Sequence, residues 1–151
     1  MKVIFVDFDG VLNTEKYVLK FAEFGLIIDP IRMELLKQIV DASDAKIVLS
    51  TSWREHWDAE PDECDDIGIQ INEIFSKHGM SVLDKTPLLN CNRENEIEEW
   101  LGKNPQVKNF VVLDDRFLDS KTIRDHFVKT SGYSSGLNEE CTQKAIEILM
   151  R

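Results

Sequence analysis

The sequence has no run of 18 apolar residues, no cysteine pair in CxxC spacing, and no repeat or low-complexity linker. A transmembrane helix needs about 20 apolar residues, and the sequence has no apolar run of that length. We therefore expect no membrane partner. Three cysteines, an odd number and far apart, indicate neither a disulfide framework nor a zinc knuckle. We therefore expect reduced thiols, a cytoplasmic protein, and a single domain over residues 1–151.

Basic residues are also scarce, with 18 Lys and Arg against 28 Asp and Glu and a formal net charge of −10. An acidic chain repels polyphosphate at long range, so this balance argues against an extended nucleic-acid-binding surface. Hydrophobic residues at 42% and charged residues at 30% are close to globular averages. Those fractions exclude a disordered chain and a collagen-like fibre.

Apolar runs typical of strands alternate along the chain with helical patterns. We expect strands at residues 3–6, 46–50, 81–83, 109–113 and 127–129. Strands separated by helices imply right-handed crossovers, so the predicted fold class is α/β with a mainly parallel five-stranded sheet. Ligands of such sheets bind at the carboxyl ends of the strands, and the residues that follow each strand are therefore the candidates for chemistry.

Three helices have recognisable caps. They are expected to begin behind Asp29, Asn92 and Asn138, and Gly102 is expected to end the second of them. Residues 120–126 are expected to be helical as well. The predicted core-facing residues of the three capped helices are Ile31, Leu35, Leu36, Ile39, Val40, Ile97, Trp100, Leu101, Ala145, Ile146 and Leu149.

Two carboxylates, Asp7 and Asp9, follow the first strand, and Gly10 lets the backbone turn sharply away. Alternation along a strand would direct both side chains to the same side. Two like charges this close are costly unless they share a cation or a proton, and Mg²⁺ prefers oxygen ligands. Solvated acids in an ordinary Asp-Gly turn explain this motif equally well when it is taken alone.

A second polar cluster, Thr51, Ser52 and Arg54, follows the second strand. It offers a hydroxyl, backbone N–H groups and a guanidinium, which are the groups that hold a phosphate. An ordinary helix cap is the alternative. Trp53 and Trp57 lie beside it, four residues apart, and we expect them to pack in the core or support the Arg54 loop rather than stack on a base.

The fourth strand ends in the paired acids Asp114 and Asp115, followed by Arg116 and, further on, Asp119. A capping Asp with a surface ion pair would explain this cluster by itself. All three clusters, however, would meet at one edge of one sheet. Acids, a hydroxyl and positive charge gathered there predict a metal-assisted phosphoryl-transfer site.

In order and spacing, these motifs resemble the haloacid dehalogenase superfamily of phosphohydrolases. The first motif of that family, hhhDxDGxxx, is similar to IFVDFDGVLN, the second to KIVLST and the fourth to NFVVLDD. The resemblance spans residues 3–119 and implies a Rossmann-like three-layer sandwich. Dehalogenase members lack the second acid of the first motif, so Asp9 points to phosphate chemistry.

The resemblance implies a role for each acid. Asp7 would be the nucleophile that forms an aspartyl-phosphate, and Asp9 would protonate the leaving oxygen and then activate water. Mg²⁺ would bind Asp7, the backbone carbonyl of Asp9, and an acid from Asp114 and Asp115, with Asp119 as the alternative.

The resemblance also implies the residues around the phosphate. Thr51 would hydrogen-bond the phosphoryl oxygens, unless the motif is offset by one residue to Ser50. The third-motif cation would be Arg93 at the start of its helix, with Lys85 as the alternative. The other expected substrate-binding residues are Gly10, Ser52, Arg54 and Arg116.

No large cap domain is expected, because only roughly 30 residues separate the first motif from the second strand and roughly 40 separate Thr51 from Arg93. Capless members often act on large substrates, and others act on small metabolites. DDR, with an Arg as the third-motif cation, resembles the phosphatase domain of polynucleotide kinase-phosphatases. DGVLN, TSWR, TP, RxxEIxxWL, LDD and a late SGL resemble the phosphatase-like domains of Swiss-army-knife RNA repair proteins.

The sequence thus predicts an Mg²⁺-dependent phosphatase. Its substrate would be a phosphorylated small molecule or the terminal phosphate of a nucleic acid, because one terminal phosphate needs only a local cationic pocket. Two other functions fit the same motifs. One is a non-catalytic module that recognises a phosphorylated partner, and the other is a phosphotransferase that passes the phosphoryl group to an alcohol.

Overall fold

In the computed structural model, the structure describes residues 1–21, 26–132 and 134–151. Five strands form one sheet: β1 (Lys2–Val6), β2 (Lys46–Leu49), β3 (Val82–Lys85), β4 (Asn109–Asp114) and β5 (Phe127–Lys129). Their order is β3-β2-β1-β4-β5, and every neighbouring pair is parallel. The α/β class and the five-stranded parallel sheet are confirmed.

The two central strands are buried on both faces. Residues 3–6 of β1 are each 0% exposed, with Ile4 and Val6 in the core on one face and Val3 and Phe5 in the core on the other. β4 alternates in the same way. Strands covered on both sides consist of continuous apolar runs, which is the pattern that made them recognisable in the sequence.

The described residues form five α-helices: α1 (Glu15–Phe21), α2 (Pro30–Ser43), α3 (Asp66–Lys77), α4 (Arg93–Lys103) and α5 (Glu139–Leu149). The first four lie between strands, and α5 follows β5. α2, α3 and α5 pack into the core on one face of the sheet, and α4 covers the other face. The ring of Trp100 on α4 meets that of Phe5 edge to face, with centroids 5.3 Å apart. The three-layer sandwich is therefore confirmed. The described residues contain no large cap domain, and residues 22–25, in the segment between the first motif and α2, lie outside the described part.

The predicted caps are present. The side chains of Asp29, Asn92 and Asn138 accept hydrogen bonds from backbone N–H groups in the first turns of α2, α4 and α5. No helix in the described part of the chain is both long enough and apolar enough to cross a membrane. Cys64, Cys91 and Cys141 are all free thiols.

Several local expectations were wrong. Ile31 is 65% exposed, and Met33, two residues later in α2, is buried instead. Gly102 lies inside α4, which continues to Lys103. Residues 120–126 form turns and one short 3-10 helix, Arg124–His126, rather than an α-helix. α1 was not predicted as a separate helix.

The carboxyl edge of the sheet is held by hydrogen bonds beyond the strands themselves. The N–H of Asp7 donates to the carbonyl of Leu113 and that of Ser50 to Val6, each at 3.0 Å. The N–H of Thr130 donates to the Asp114 carbonyl, also at 3.0 Å. The residues that follow the strands therefore start from fixed backbone positions.

Candidate active site

Three carboxylates meet at the carboxyl ends of β1 and β4. Asp7, Asp114 and Asp115 each offer an oxygen, and these oxygens lie within 4.8 Å of one another. We call these three residues the acid cluster. They converge because β1 and β4 are paired with Val6 opposite Leu113, so that Asp7 and Asp114 are neighbours across the sheet. Asp7 is 5% exposed and Asp114 is 0% exposed.

Arg93, the first residue of α4, contacts the acid cluster. Its Nη1 lies 2.8 Å from Oδ2 of Asp114 and 3.5 Å from Oδ2 of Asp7, and the residue is buried. Lys85, the alternative third-motif cation, is directed elsewhere. Its Nζ contacts the Trp57 carbonyl and lies 3.7 Å from Oδ2 of Asp58. The structure therefore places Arg93, and not Lys85, at the acid cluster.

The acid cluster carries more negative charge than Arg93 neutralises. Burial raises the pKa of Asp7 to about 7, although Arg93 opposes the shift, and Asp114 adds to it. Burial, and then Asp114, raise the pKa of Asp115 as well. Carboxyl groups that retain protons to this extent are suited to a cation, and a set of carboxylate oxygens fits a hard divalent ion such as Mg²⁺.

Gly10 shapes the cluster through its lack of a side chain. Its φ is +80°, and a Cβ built there would lie 2.3 Å from Oδ2 of Asp115. Its N–H donates to Oδ1 of Asn13 at 3.1 Å, and its carbonyl accepts from the Thr130 hydroxyl at 2.7 Å. The lack of a side chain at Gly10 lets Asp115 approach, and phosphate binding by Gly10 stays a prediction.

The carboxylate of Asp9 is exposed and lies apart from the acid cluster. Both of its oxygens accept a hydrogen bond, one from Nδ2 of Asn13 at 3.0 Å and one from Nε1 of Trp53 at 2.9 Å. A carboxylate held in this way is fixed in direction but open to a reactant. Trp53 therefore has a polar contact that neither core packing nor base stacking predicted.

The polar residues after β2 divide into buried and exposed ones. Thr51 is 0% exposed and caps the 3-10 helix Ser52–His56, and its hydroxyl lowers the pKa of Asp7. The buried Ser50 hydroxyl has no hydrogen-bond partner among the described residues. Ser52 is exposed and lines a cavity of about 100 Å³ together with Arg93 and Arg116.

Arg54 is buried, and its guanidinium is engaged inside the protein. It donates to the carbonyls of Thr51, Thr86 and Pro87 at 2.6, 3.0 and 3.1 Å. Its Nη2 also lies 2.9 Å from Oε2 of the buried Glu96. Three of these contacts hold the loops after β2 and β3, and the fourth joins Arg54 to α4. Arg54 also lines the same cavity as Ser52, and phosphate binding by Arg54 stays a prediction.

The two remaining candidates differ in position. Arg116 is exposed, and its side chain lines the same cavity as Arg93. Asp119 does not belong to the acid cluster: its carboxylate lies 3.9 Å from Nε of Arg124, and its N–H donates to Glu94. The structure therefore brings Asp114 and Asp115 to Asp7, and not Asp119, the alternative metal ligand.

A protein-family model described as "HAD domain in Swiss Army Knife RNA repair proteins" matches residues 3–141. The chain belongs to this family. The match contains the whole acid cluster, Asp9 and Arg93. Membership supports a phosphatase of the HAD type or a related function, and the family typically uses a metal. Comparisons with curated proteins and with solved structures give no match.

Sequence reasoning missed several residues of this HAD domain. The side chain of Asn13 orients the Asp9 carboxylate and closes the turn at Gly10. Its position inside the DGVLN motif could have indicated this role. Glu96, three residues after Arg93, is part of the RxxEIxxWL motif, which indicated its role less clearly. Thr130 had none, because its contact with Gly10 joins residues 120 apart in the chain.

Proposed function

We propose that the chain is an Mg²⁺-dependent phosphomonoesterase that acts through an aspartyl-phosphate on Asp7. The observation that carries this proposal is the acid cluster with Arg93 against two of its carboxylates. Asp9, two residues on, is held by two donors and exposed to a reactant. A nucleophile, an acid–base group and a cation at one strand edge are the parts that phosphoryl transfer requires.

In the first step, a carboxylate oxygen of Asp7 attacks phosphorus and the ester P–O bond breaks, while Asp9 gives its proton to the leaving oxygen. In the second step, Asp9 takes a proton from a water molecule that attacks phosphorus, and the bond from phosphorus to Asp7 breaks. Thr51 and Arg93 hold phosphoryl oxygens through both steps.

Mg²⁺ held by Asp7, the Asp9 carbonyl, and Asp114 or Asp115 would supply positive charge that offsets the repulsion between an anionic nucleophile and a phosphate. The protein's own residues hold these ligands in place. Gly10 admits Asp115, and Arg93 fixes Asp114.

For the substrate we propose a nucleotide or the terminal phosphate of a nucleic acid, in a cytoplasmic setting. The family description refers to RNA repair proteins, which supports this class. Two structural features agree with it: Arg116 is exposed beside Arg93, and no large cap covers the site in the described residues.

The test is hydrolysis of an aryl phosphate with Mg²⁺, followed by a panel of mononucleotides, sugar phosphates and 3′- or 5′-phosphorylated oligonucleotides. We expect turnover by the wild type, loss of at least about a thousandfold in Asp7→Asn, and near-normal turnover in Asp119→Asn, a matched acid outside the cluster. Inactivity on the whole panel, or full activity of Asp7→Asn, would overturn the proposal.

Other outcomes would identify the alternatives. Tight binding of a phosphate analogue without hydrolysis would indicate a recognition module. Transfer of phosphate to an added alcohol, seen in the products, would indicate a phosphotransferase.

A further inference from the structure

A second cavity, of about 330 Å³, is lined in part by Arg93. Its walls are the loop after β4, with Arg116 and Phe117, and the loop before α4, with Asn90 and Cys91. Arg93 also contacts Asp7 and Asp114. If the phosphate of a substrate is bound at Arg93, the rest of that substrate molecule therefore lies next to this cavity.

The ring of Phe117 is 76% exposed, whereas the next residue, Leu118, is 6% exposed and anchored in the core. The loop that carries Phe117 is fixed on both sides. The N–H of Arg116 donates to Oδ1 of Asp114 at 2.8 Å. The N–H groups of Asp119 and Ser120 donate to Oε1 of Glu94 at 2.6 and 2.8 Å. A single exposed Phe is ordinary, but a ring held on an anchored loop beside a cavity is preorganised for contact with a ligand.

The other wall of the cavity, the loop before α4, has an unfavourable backbone conformation. Asn90 and Cys91 have φ values of +52° and +59°, in the left-handed region that non-glycine residues rarely occupy. Their loop is tied to α4, because the Leu89 N–H donates to Oε1 of the buried Glu96 at 3.0 Å. Backbone strain maintained by the surrounding structure is concentrated at ligand sites.

The lining of the cavity therefore combines two cationic side chains with an exposed aromatic ring. Arg93 and Arg116 suit a phosphate, and Phe117 suits the face of a planar ring. A cavity of this volume is of the size that small ligands occupy. A sugar phosphate has no planar aromatic ring to stack on Phe117, whereas a nucleotide supplies both a phosphate and such a ring.

We propose that this cavity is a nucleobase subsite in which Phe117 stacks on the base of the substrate while Arg93 and Arg116 hold the phosphate end. This inference rests on the proposed function and adds the place where the base of such a substrate would bind.

The experiment measures both binding, by calorimetry, and kcat/KM for nucleoside 3′- and 5′-monophosphates against ribose phosphates that lack the base. The variants are Phe117→Ala, which removes the ring, and Phe117→Tyr, which keeps it, with Leu83→Ala as a matched control at an exposed apolar residue elsewhere. Circular dichroism checks the fold of each variant. We expect the wild type to prefer the base-bearing compound about tenfold in affinity or in kcat/KM, Phe117→Ala to lose that preference, and Phe117→Tyr and Leu83→Ala to keep it.

The outcomes separate this inference from the proposed function. Base-dependent binding that needs Phe117, without hydrolysis, would support the subsite and overturn the phosphatase. Hydrolysis that ignores both the base and the Phe117 substitution would support the phosphatase and overturn the subsite. A phosphotyrosyl peptide that is bound better than any nucleotide would also overturn it, and the absence of both binding and hydrolysis would overturn both.

Discussion

Asp7, the proposed nucleophile, has a buried carboxyl group, and burial favours its protonated form. Its ordinary pKa of 3.8 applies to the unfolded chain, and burial raises the pKa to about 7 in the folded protein. Between these values the folded protein holds a proton that the unfolded chain has released. The stability that this group contributes is therefore full below about pH 4 and is lost as the pH rises toward 7.

The direction of this change in stability with pH gives a prediction for the metal-free protein. Relative to Asp7→Asn, which has no such proton, the wild type should lose up to about 1.4 kcal/mol of unfolding free energy per pH unit across that window. Urea unfolding in a chelator, at several pH values, measures the difference. Added Mg²⁺, which competes with the proton for the carboxylate, should stabilise the wild type more at about pH 8 than at about pH 5.

An exposed acid far from the cluster is the control for this measurement. Asp62→Asn, in the 3-10 helix Pro61–Glu63, should follow the wild-type pH dependence. If wild type and Asp7→Asn ran parallel through the whole pH range, the protonated Asp7 would be ruled out.

The indole of Trp53 is predicted to be a positioning group for Asp9. Trp53→Phe keeps the ring packing but removes the N–H that donates to Oδ2 of Asp9 at 2.9 Å. We expect kcat to fall about tenfold with little change in KM, because a misdirected acid protonates the leaving oxygen less well. The fall should be larger for an alkyl phosphate, whose leaving oxygen needs the proton, than for a nitrophenyl phosphate.

The matched control for Trp53 is the neighbouring tryptophan. Trp57→Phe also removes an indole N–H, but that group donates to Oδ1 of Asn72 at 2.8 Å, away from the acids. It should lower stability without making the rate more sensitive to the leaving group. Equal sensitivity in both variants would assign Trp53 a purely structural role.

Side-chain contacts of this kind mark the limit of prediction from sequence at the residue scale. Asp7 and Asp114 could be placed together because each lies at the carboxyl end of a buried strand of one parallel sheet. The contact between Trp53 and Asp9 joins residues 44 apart, and it depends on how the 3-10 helix after β2 is rotated. No periodic pattern in the sequence encodes that rotation.

At the scale of elements, the first turn of α4 organises the whole site. Arg93 reaches the acid cluster, Glu94 holds the loop after β4, and Glu96 holds both Arg54 and the loop before α4. One turn of helix thus connects the loops that follow β2, β3 and β4. Its start was predictable from the Asn92 cap, but the direction of its side chains was not.

The strength of this connection is tested with Glu96→Ala. The variant leaves the guanidinium of Arg54 buried without its carboxylate, a loss that typically costs about 3 to 5 kcal/mol. Activity should fall as well, because the loops that position Thr51 and Arg93 lose their common anchor. Urea unfolding measures the stability, and hydrolysis is assayed below the unfolding transition.

Glu99 of the same helix provides the comparison. It pairs with Lys103 on the surface, one turn further on, and an exposed pair of this type contributes about 0.5 kcal/mol or less. Glu99→Ala should therefore remain close to wild type in both stability and activity. A Glu96→Ala variant that is equally mild would contradict the role assigned to this turn.

For the molecule as a whole, the net charge of −10 has the same sign as the proposed anionic substrate. The two are compatible because the net charge acts at long range, whereas the substrate phosphate responds to the local potential at the site. Long-range potential decides whether a polynucleotide is held along its length, whereas the bound metal and nearby arginines decide the potential at one phosphate. The acid cluster is a part of the acidic excess that a cation would turn into an attractive site. The rest of the excess still opposes contact with neighbouring phosphates.

This difference in range predicts a shallow salt dependence. For a 3′- or 5′-phosphorylated single strand, log(kcat/KM) against log[salt] should have a slope of about −1 or shallower, as expected when roughly one phosphate is neutralised. The slope should be the same for strands of about 4 and about 12 nucleotides. Arg116→Ala should flatten it, whereas Lys46→Ala, at the amino end of β2 and so at the opposite edge of the sheet, should leave it unchanged. A slope that steepens with strand length would show that the protein follows the backbone beyond the terminal phosphate, against the direction of its net charge.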